Sequence, residues 1–449
     1  MLIVIILGIL IGFGLSLFPG TMVVLGLFLW LLVYILKAKS FTHDRKFIVK
    51  IILCAFALRL LFILCYYHMY LNQGRPDMIG PDGEVYLQRG WYISRILLGQ
   101  NPYLIPSNDY SFTYHTAIVK AYKEFLPHWS AYQIGIYSYF IGFIFTIFGY
   151  NPIMIKLSNA LASVLSAVIV YLIGRECFNR QTARAAMCCF IFLPSVFMFS
   201  VTALRDAFII LLLVSFVWCL VQLSMQHKKN FLFLAVILAI GVGVLRTDII
   251  LPLLIITGLV LLFSSKLNGI RKFFAVIFLI SMILSLHTSG RFKIQNEAKK
   301  MLSRHMGYVS YHGNNYQILP EQFYIQSELT TLTFKDFCFG VLNGIFHLLY
   351  EPLPKRVNNF SMLFAFLQTM LMCLIVPFLF LGSILGIRIK FFATLPLIIY
   401  ICIFIPLLAI TEGNVGTVFR HRDMLMPFFL ILGMGWLCVK NNAGKITAN

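Results

Sequence analysis

Acidic residues are scarce in this chain. Sixteen aspartates and glutamates stand against 36 lysines and arginines in 449 residues. Charge of either sign is thin, at 12%, while 60% of the residues are hydrophobic and mean hydropathy is +0.87, outside the range of soluble domains. None of the ten cysteines forms a C-x-x-C pair and most lie inside apolar runs, which argues against a disulfide framework or a zinc ribbon. The ten histidines include no H-E-x-x-H, and His305 and His312 have no neighbouring ligand spacing. The sequence therefore indicates no metal or cofactor, and dependence on a divalent ion is left open. No fixed-period repeat or low-complexity linker appears, and no small-residue cleavage site follows a short apolar core, as a removable signal peptide would require.

What is present is a succession of apolar runs, most long enough to cross a hydrocarbon core of about 30 Å as a helix. They fall near 47–67, 152–174, 185–203, 207–226, 231–245, 249–265, 273–289, 360–384, 391–411 and 423–439. A further apolar stretch, 2–36, is broken at Pro19-Gly20 and reads as one long helix or a tight hairpin. The expected fold is an all-α polytopic integral membrane protein with about 10–13 transmembrane helices, residues 1–449 forming one integral-membrane domain.

The net charge of +20 follows topology and not nucleic-acid binding. The short connections and the tail hold seventeen bases, from Lys37 and Lys39 through Arg175, Arg180, Arg184, Lys228 and Lys229 to Lys440 and Lys445, with only Asp44 and Glu176 as acids. Placed on one side, they give the positive-inside pattern of a cytoplasmic face against anionic lipid. The expected location is a plasma membrane, the bacterial inner membrane, with the remaining acids at the opposite face. Two segments, 68–130 and 290–359, are then long extracytoplasmic loops. Alternation also requires that 132–148 and 152–174 not both cross. The aromatic-rich 132–148 is therefore expected to be re-entrant or to lie at the interface.

Candidate chemistry gathers in the first loop, in Gly80-Pro81-Asp82-Gly83-Glu84-Val85-Tyr86, with residues 86–98 expected to form a short surface helix. A Pro-Asp-Gly aspartate most often forms a turn; the alternative is a general base, for which a carboxylate is suited because partial burial tunes its basicity. Asp82 and Glu84 share a side only if extended, whereas Asp82 and Tyr86 share a helical face. Arg59 sits mid-span, where a charge costs several kcal/mol unless it is paired or wet, so it is a functional candidate or an anchor between helices. Arg205-Asp206, Arg246-Thr247-Asp248, Glu412 and Arg420-His421-Arg422-Asp423 fall at helix ends expected on the outer side. Each alone reads as a headgroup-layer boundary. Together they suit a phosphate or pyrophosphate, which guanidinium binds in bidentate fashion.

These pieces resemble the GT-C superfamily of membrane glycosyltransferases, especially its protein O-mannosyltransferase and aminoarabinose-transferase branch. The matching motifs are Ala57-Leu58-Arg59-Leu60-Leu61, Asp82 with Tyr86, Gly99-Gln100-Asn101-Pro102-Tyr103 and Leu193-Pro194-Ser195 ahead of Leu204-Arg205-Asp206. Glu351-Pro352-Leu353-Pro354 and Arg420-His421-Arg422 before Pro427 complete the set. The resemblance implies a polyprenyl-phosphate-linked sugar donor taken from the outer leaflet and transfer with inversion by an aspartate of the first outer loop. That role falls on Asp82, with Glu84 or Asp77 as substitutes and Arg59, Tyr86 and His421 in support. Donor phosphate falls to Arg205, Arg246, Arg420 and Arg422. Gly83 between the two acids departs from the commonest pattern, in which they are adjacent. Lacking an obvious soluble docking domain, the chain is expected to serve a glycan or glycolipid acceptor. The rival expectations are a cell-surface polysaccharide polymerase and a transporter or flippase of lipid-linked oligosaccharides; a transporter would carry inverted repeats and midplane charges.

In intact cells lacking the native cysteines, Gln181→Cys and Lys228→Cys are expected to resist a membrane-impermeant thiol reagent, and Asn108→Cys and Asn314→Cys to react. Labelling at 228 without labelling at 314 would invert the assignment.

Overall fold

The structure, a computed structural model, describes residues 20–69, 81–101, 135–226, 229–263, 302, 305–306, 309, 315–324, 333–357 and 360–446. Asp77 and the apolar run 273–289 lie outside them, as do most of the two long loops. Among the described residues there is no strand, and an isolated antiparallel bridge pairs Asn315 with Asn414.

Fourteen α-helices follow one another among these residues: α1 (Thr21–Lys37), α2 (Arg45–Met69), α3 (Pro81–Leu97), α4 (Ile136–Phe148), α5 (Pro152–Cys177), α6 (Arg180–Ile191), α7 (Pro194–Ser200), α8 (Asp206–Gln226), α9 (Lys229–Leu245), α10 (Ile250–Phe263), α11 (Phe334–Tyr350), α12 (Phe360–Thr411), α13 (Val415–His421) and α14 (Met426–Ile446). Four, namely α2, α5, α8 and α12, are long and apolar enough to cross a membrane, and up to six spans result if each bent pair counts as one. The apolar helices α1 and α4 and those at 230–245 and 247–263 are shorter. This is an all-α, multi-pass membrane protein. Its outward faces fit lipid: Leu58, Leu61, Phe233, Leu374 and Phe380 are exposed, which an aqueous surface would not favour.

Several expected spans change shape. The run 185–203 is two helices, α6 and α7, bent by 55° where Pro194 removes a backbone donor. The last span is preceded by α13 at a bend of 62°. Within α12 the backbone at Lys390 leaves helical geometry (φ −144°, ψ 67°), between the expected spans 360–384 and 391–411. There the Lys390 ammonium donates to the carbonyls of Glu176 (2.8 Å) and Phe178 (3.1 Å), capping the negative end of α5. Helix α4 has 13 residues, about 20 Å at 1.5 Å per residue and too short to cross a hydrocarbon core.

The chain divides into two compact units, residues 1–168 with 196–211, and 169–195 with 212–449. In the first, α3 packs on α4 through facing glycines: a Cβ on Gly90 would lie 2.4 Å from Ile141 Cγ2 and one on Gly142 2.7 Å from Ile93 Cγ2. In the second, α12 packs along α14, and α11 and α10 pack on α12. The Phe178 ring fills the space over Gly386 and Gly435. Small residues allow such close approach where lipid offers no hydrophobic drive for helix association.

A Cβ on Gly382 would fall 1.9 Å from the Leu432 carbonyl oxygen, whereas one on Gly26 meets nothing within 4 Å. Gly382→Ala is expected to force α12 from α14 at a cost of about 1–3 kcal/mol, read as a lowered thermal midpoint in detergent. Gly26→Ala should leave that midpoint essentially unchanged.

Candidate active site

In the first unit, the acidic motif is the first turn of α3 and not an extended loop. The helix begins at Pro81, five residues before the expected surface helix. Proline at the first position has no amide proton to waste, and Asp82 and Glu84 complement the positive end of the dipole. Asp82 is exposed and Glu84 half-buried. Gly83 is buried, and a Cβ there would lie 3.2 Å from the Ala203 amide nitrogen. The glycine between the acids thus seats the turn on the backbone of 201–205. One turn on from Asp82, the Tyr86 ring meets Tyr137 edge to face at 5.3 Å, and the Arg205 guanidinium carbon lies 6.0 Å from the Tyr86 ring centre.

The segment carrying Arg205 is fixed from α5 and α4. Asn159 Nδ2 donates to the carbonyls of Thr202 (2.7 Å) and Leu204 (2.6 Å), and the Tyr137 hydroxyl donates to the Leu204 carbonyl at 3.3 Å. Arg59 is fully buried. Its Nε donates to Ser200 Oγ at 2.8 Å, Nη2 to Ser163 Oγ at 3.2 Å and Nη1 to the Ala55 carbonyl at 3.2 Å, and it lies 5.0 Å from the Phe197 ring centre. It ties α2 to α5 and to α7, the helix that leads into 201–205.

Three of the expected phosphate ligands, with His421, belong to the second unit. Arg246 Nε donates to Asp248 Oδ2 (3.2 Å) and Nη2 to Glu412 Oε1 (3.1 Å), an oxygen that also accepts His421 Nδ1–H at 2.7 Å. Arg422 is fully buried; its Nη1 donates to Thr369 Oγ1 at 3.0 Å and its Nη2 to the Glu351 carbonyl. Asp423 accepts from Ser195 Oγ, which also accepts from Gln368 Nε2 at 2.7 Å. Arg420 is half-buried. The structure thus groups Asp82, Glu84, Tyr86 and Arg205 in one unit and Arg246, His421 and Arg422 in the other.

Sequence reasoning did not single out the hub of the second unit. Glu412, which the sequence places in the charged outer ring without a role of its own, is fully buried in the connection between α12 and α13. Its backbone carbonyl accepts from the Tyr316 hydroxyl (2.8 Å) and from His305 Nδ1–H. Burial alone would raise its carboxyl pKa, but the His421 imidazole and the Arg246 guanidinium outweigh that and hold it down at about 2. Glu351 is likewise held below the usual range: burial opposes, while His347, the Leu353 amide and Arg356 prevail. The His347 ring also stacks on Tyr316, centroids 4.3 Å apart. Lys156 and Asn159 were missed as well. With Ser163 and Ser166 they form a buried stripe on α5 at spacings of three and four residues, a helical period legible inside an otherwise apolar run. Among the described residues no group of three histidines, cysteines or acids could hold a metal ion.

Residues 136–289 match the family model described as dolichyl-phosphate-mannose-protein mannosyltransferase. The match covers about a third of the chain, including Arg205 and Arg246 but neither Asp82 nor the arginines at 420 and 422. It agrees with the resemblance drawn from the short motifs and indicates a membrane glycosyltransferase of the GT-C type. No curated protein and no solved structure matches the chain.

His305 is buried and its pKa is pushed down to about 4, chiefly by burial, against 6.5 when unfolded. The unfolded chain then binds more protons between those values. The contribution of this group, on the order of 3 kcal/mol, is fully present above pH 6.5 and lost as pH falls through about 4. Glu412 adds a second loss between 4.5 and about 2. His305→Asn keeps a donor for the Glu412 carbonyl without titrating, and it is expected to flatten the fall of the thermal midpoint over the histidine window.

Proposed function

We propose that this protein transfers a sugar from a polyprenyl-phosphate-linked donor to a glycan or glycolipid acceptor outside the cytoplasm, with inversion at the anomeric carbon. The observation that carries the reading is the seat of α3 in the first unit. The acid-bearing turn rests through Gly83 on the segment that ends in Arg205, whose guanidinium faces Tyr86 one turn from Asp82. An exposed carboxylate and a half-buried cation on one fixed scaffold supply the two charges that inverting transfer needs.

In this reaction the acceptor hydroxyl passes its proton to the Asp82 carboxylate as its oxygen bonds to the anomeric carbon. The bond from that carbon to the phosphate oxygen breaks, and its electron pair leaves with the polyprenyl phosphate. Arg205 stabilises the charge gathering on that phosphate, with Arg59 holding its segment in place. Glu84 stands beside Asp82 as its substitute; Asp77 keeps the same role as a candidate. In the second unit, Arg246, Arg420 and Arg422 keep their role as candidates for holding donor phosphate; Arg420 is half-buried and the other two are buried.

Asp82→Asn keeps the size of the side chain and removes the proton acceptor. The variant is expected to accumulate in membranes normally and to lose about 10² to 10⁴-fold in transfer, measured as polyprenyl phosphate released from a labelled polyprenyl-phosphate sugar. Glu84→Gln should lose less. Near-normal turnover in Asp82→Asn with activity abolished in Glu84→Gln would move the base within the same turn. Full activity in both, and in Asp77→Asn, would remove the first-loop mechanism and favour a polymerase or a transporter.

A further inference from the structure

The charges gathered around Glu412 balance. Arg246, Arg420 and Arg422 supply three guanidiniums, and Asp248, Glu412 and Asp423 supply three carboxylates, all within residues 246–248 and 412–423 of one compact unit. Arg246 is held by two of the carboxylates at once, at 3.2 and 3.1 Å. With His421 neutral the group carries no net charge and offers a phosphate little attraction. Arginine does not titrate in the working range, and the Arg246 guanidinium favours ionised Glu412 whether or not His421 is charged.

His421 is the group whose ordinary titration range lies between pH 5 and 8. Burial and then the Arg246 guanidinium shift His421 downward from 6.5, opposed by the Glu412 carboxylate, so its proton is gained on the acid side of that range. It is buried, and its Nδ1–H donates to Glu412 Oε1 at 2.7 Å. That bond fixes the tautomer: Nδ1 carries its proton in the neutral ring as well as in the imidazolium, so the titrating atom is Nε2. No described residue hydrogen-bonds Nε2. Protonation therefore adds a positive charge to the cluster while the bonds of His421 and Arg246 to Glu412 stay as they are. The other titratable groups packed about the hub are His305 and Tyr316, which donate to the Glu412 carbonyl, Tyr400, which donates to the Met424 carbonyl at 3.2 Å, and His347, which is paired with Glu351. Tyrosine stays neutral in this range, and His305 and His347 bond through Nδ1 to other groups, leaving His421 as the histidine bonded directly to the Glu412 carboxylate.

We propose that His421 is the charge-setting residue of the second unit, its protonation turning a neutral cluster into a cationic one that binds the phosphodiester of the lipid-linked donor. This rests on the reading that the arginines at 246, 420 and 422 meet donor phosphate. His421 acts here as a positioning residue, through the field it adds and not through contact with the reacting atoms.

The test is binding of farnesyl methyl phosphate, a sugar-free phosphodiester whose single charge does not titrate in this range, to the full-length protein in nanodiscs from about pH 4.5 to 8, a window extended on the acid side because burial lowers the His421 pKa. Wild type is expected to weaken about tenfold as pH rises. His421→Gln should bind weakly with no pH dependence, and His421→Arg, permanently charged, should bind tightly with none. Wild-type pH dependence persisting in either variant would overturn the role of His421 while leaving the phosphate reading intact. Diester binding unchanged in Arg420→Gln and in Arg246→Gln at every pH would instead remove the phosphate reading itself. A variant that fails to fold, as shown by size-exclusion profile, leaves the other to decide, since one fixes the charge off and the other fixes it on.

Discussion

A guanidinium carried into an apolar helical interior has to be compensated where it sits, and the arrangement of both units follows from how three arginines meet that demand. Stripping a cation of water costs several kcal/mol even after relaxation, so each buried arginine recruits oxygen atoms from distant parts of the chain. Arg59 reaches two serine hydroxyls and a carbonyl of its own helix. Arg246 takes two carboxylates, and Arg422 a carbonyl and a threonine hydroxyl. Each set of partners joins segments that the sequence keeps far apart.

The order of dependence in the first unit runs from α5 outward. Its polar stripe gives Ser163 to Arg59 and Asn159 to the carbonyls of 202 and 204. Once that segment is fixed, its backbone at Ala203 lies so close to Gly83 that a Cβ there would sit 3.2 Å from the amide nitrogen, a contact glycine avoids. Glycine inside a helix costs about 1 kcal/mol relative to alanine, so its place in the first turn of α3 is explained by the contact and not by helix propensity. The spacing of Asp82 and Glu84 follows from the same contact: the residue between them faces inward, and the acids point to either side of it.

Much of this was legible in the sequence, and what was not has a common physical cause. Hydropathy located α2, α5 and α8 to within a few residues because burial in lipid leaves a long apolar signature that local bends do not erase. The bend at Pro194 was less visible, since it leaves the composition of the run unchanged, whereas the departure at Lys390 falls in the basic gap between the expected spans 360–384 and 391–411. Arg59 stood out as a charge in mid-span, yet its partners lie 104 and 141 residues away, a separation no local pattern encodes. The start of α3 was misplaced because Pro-Asp-Gly serves equally as a turn and as a helix N-terminus, and the contact at Ala203 that decides between them is tertiary. Glu412 was placed in the charged outer ring but given no role of its own, for a similar reason: its importance comes from four side chains converging on one turn.

The arginines proposed to meet phosphate differ in how much of their charge is already answered. Arg246 lies between two carboxylates, so its field outward is largely cancelled and its fixed geometry is what it contributes. Arg422 has neutral oxygen partners, a carbonyl and a hydroxyl, which satisfy protons without cancelling charge. Its charge is answered instead through space by the Asp423 and Glu351 carboxylates, and its guanidinium is wholly enclosed. Arg205 and Arg420 are half-buried, the position in which a guanidinium is held by protein on one side and reached from solvent on the other. A leaving phosphate needs both kinds, donors that touch its oxygens and enclosed charge that makes their surroundings positive. A residue's exposure therefore says which of the two it supplies, and loss of an enclosed arginine should change the field at the phosphate without removing a contact to it.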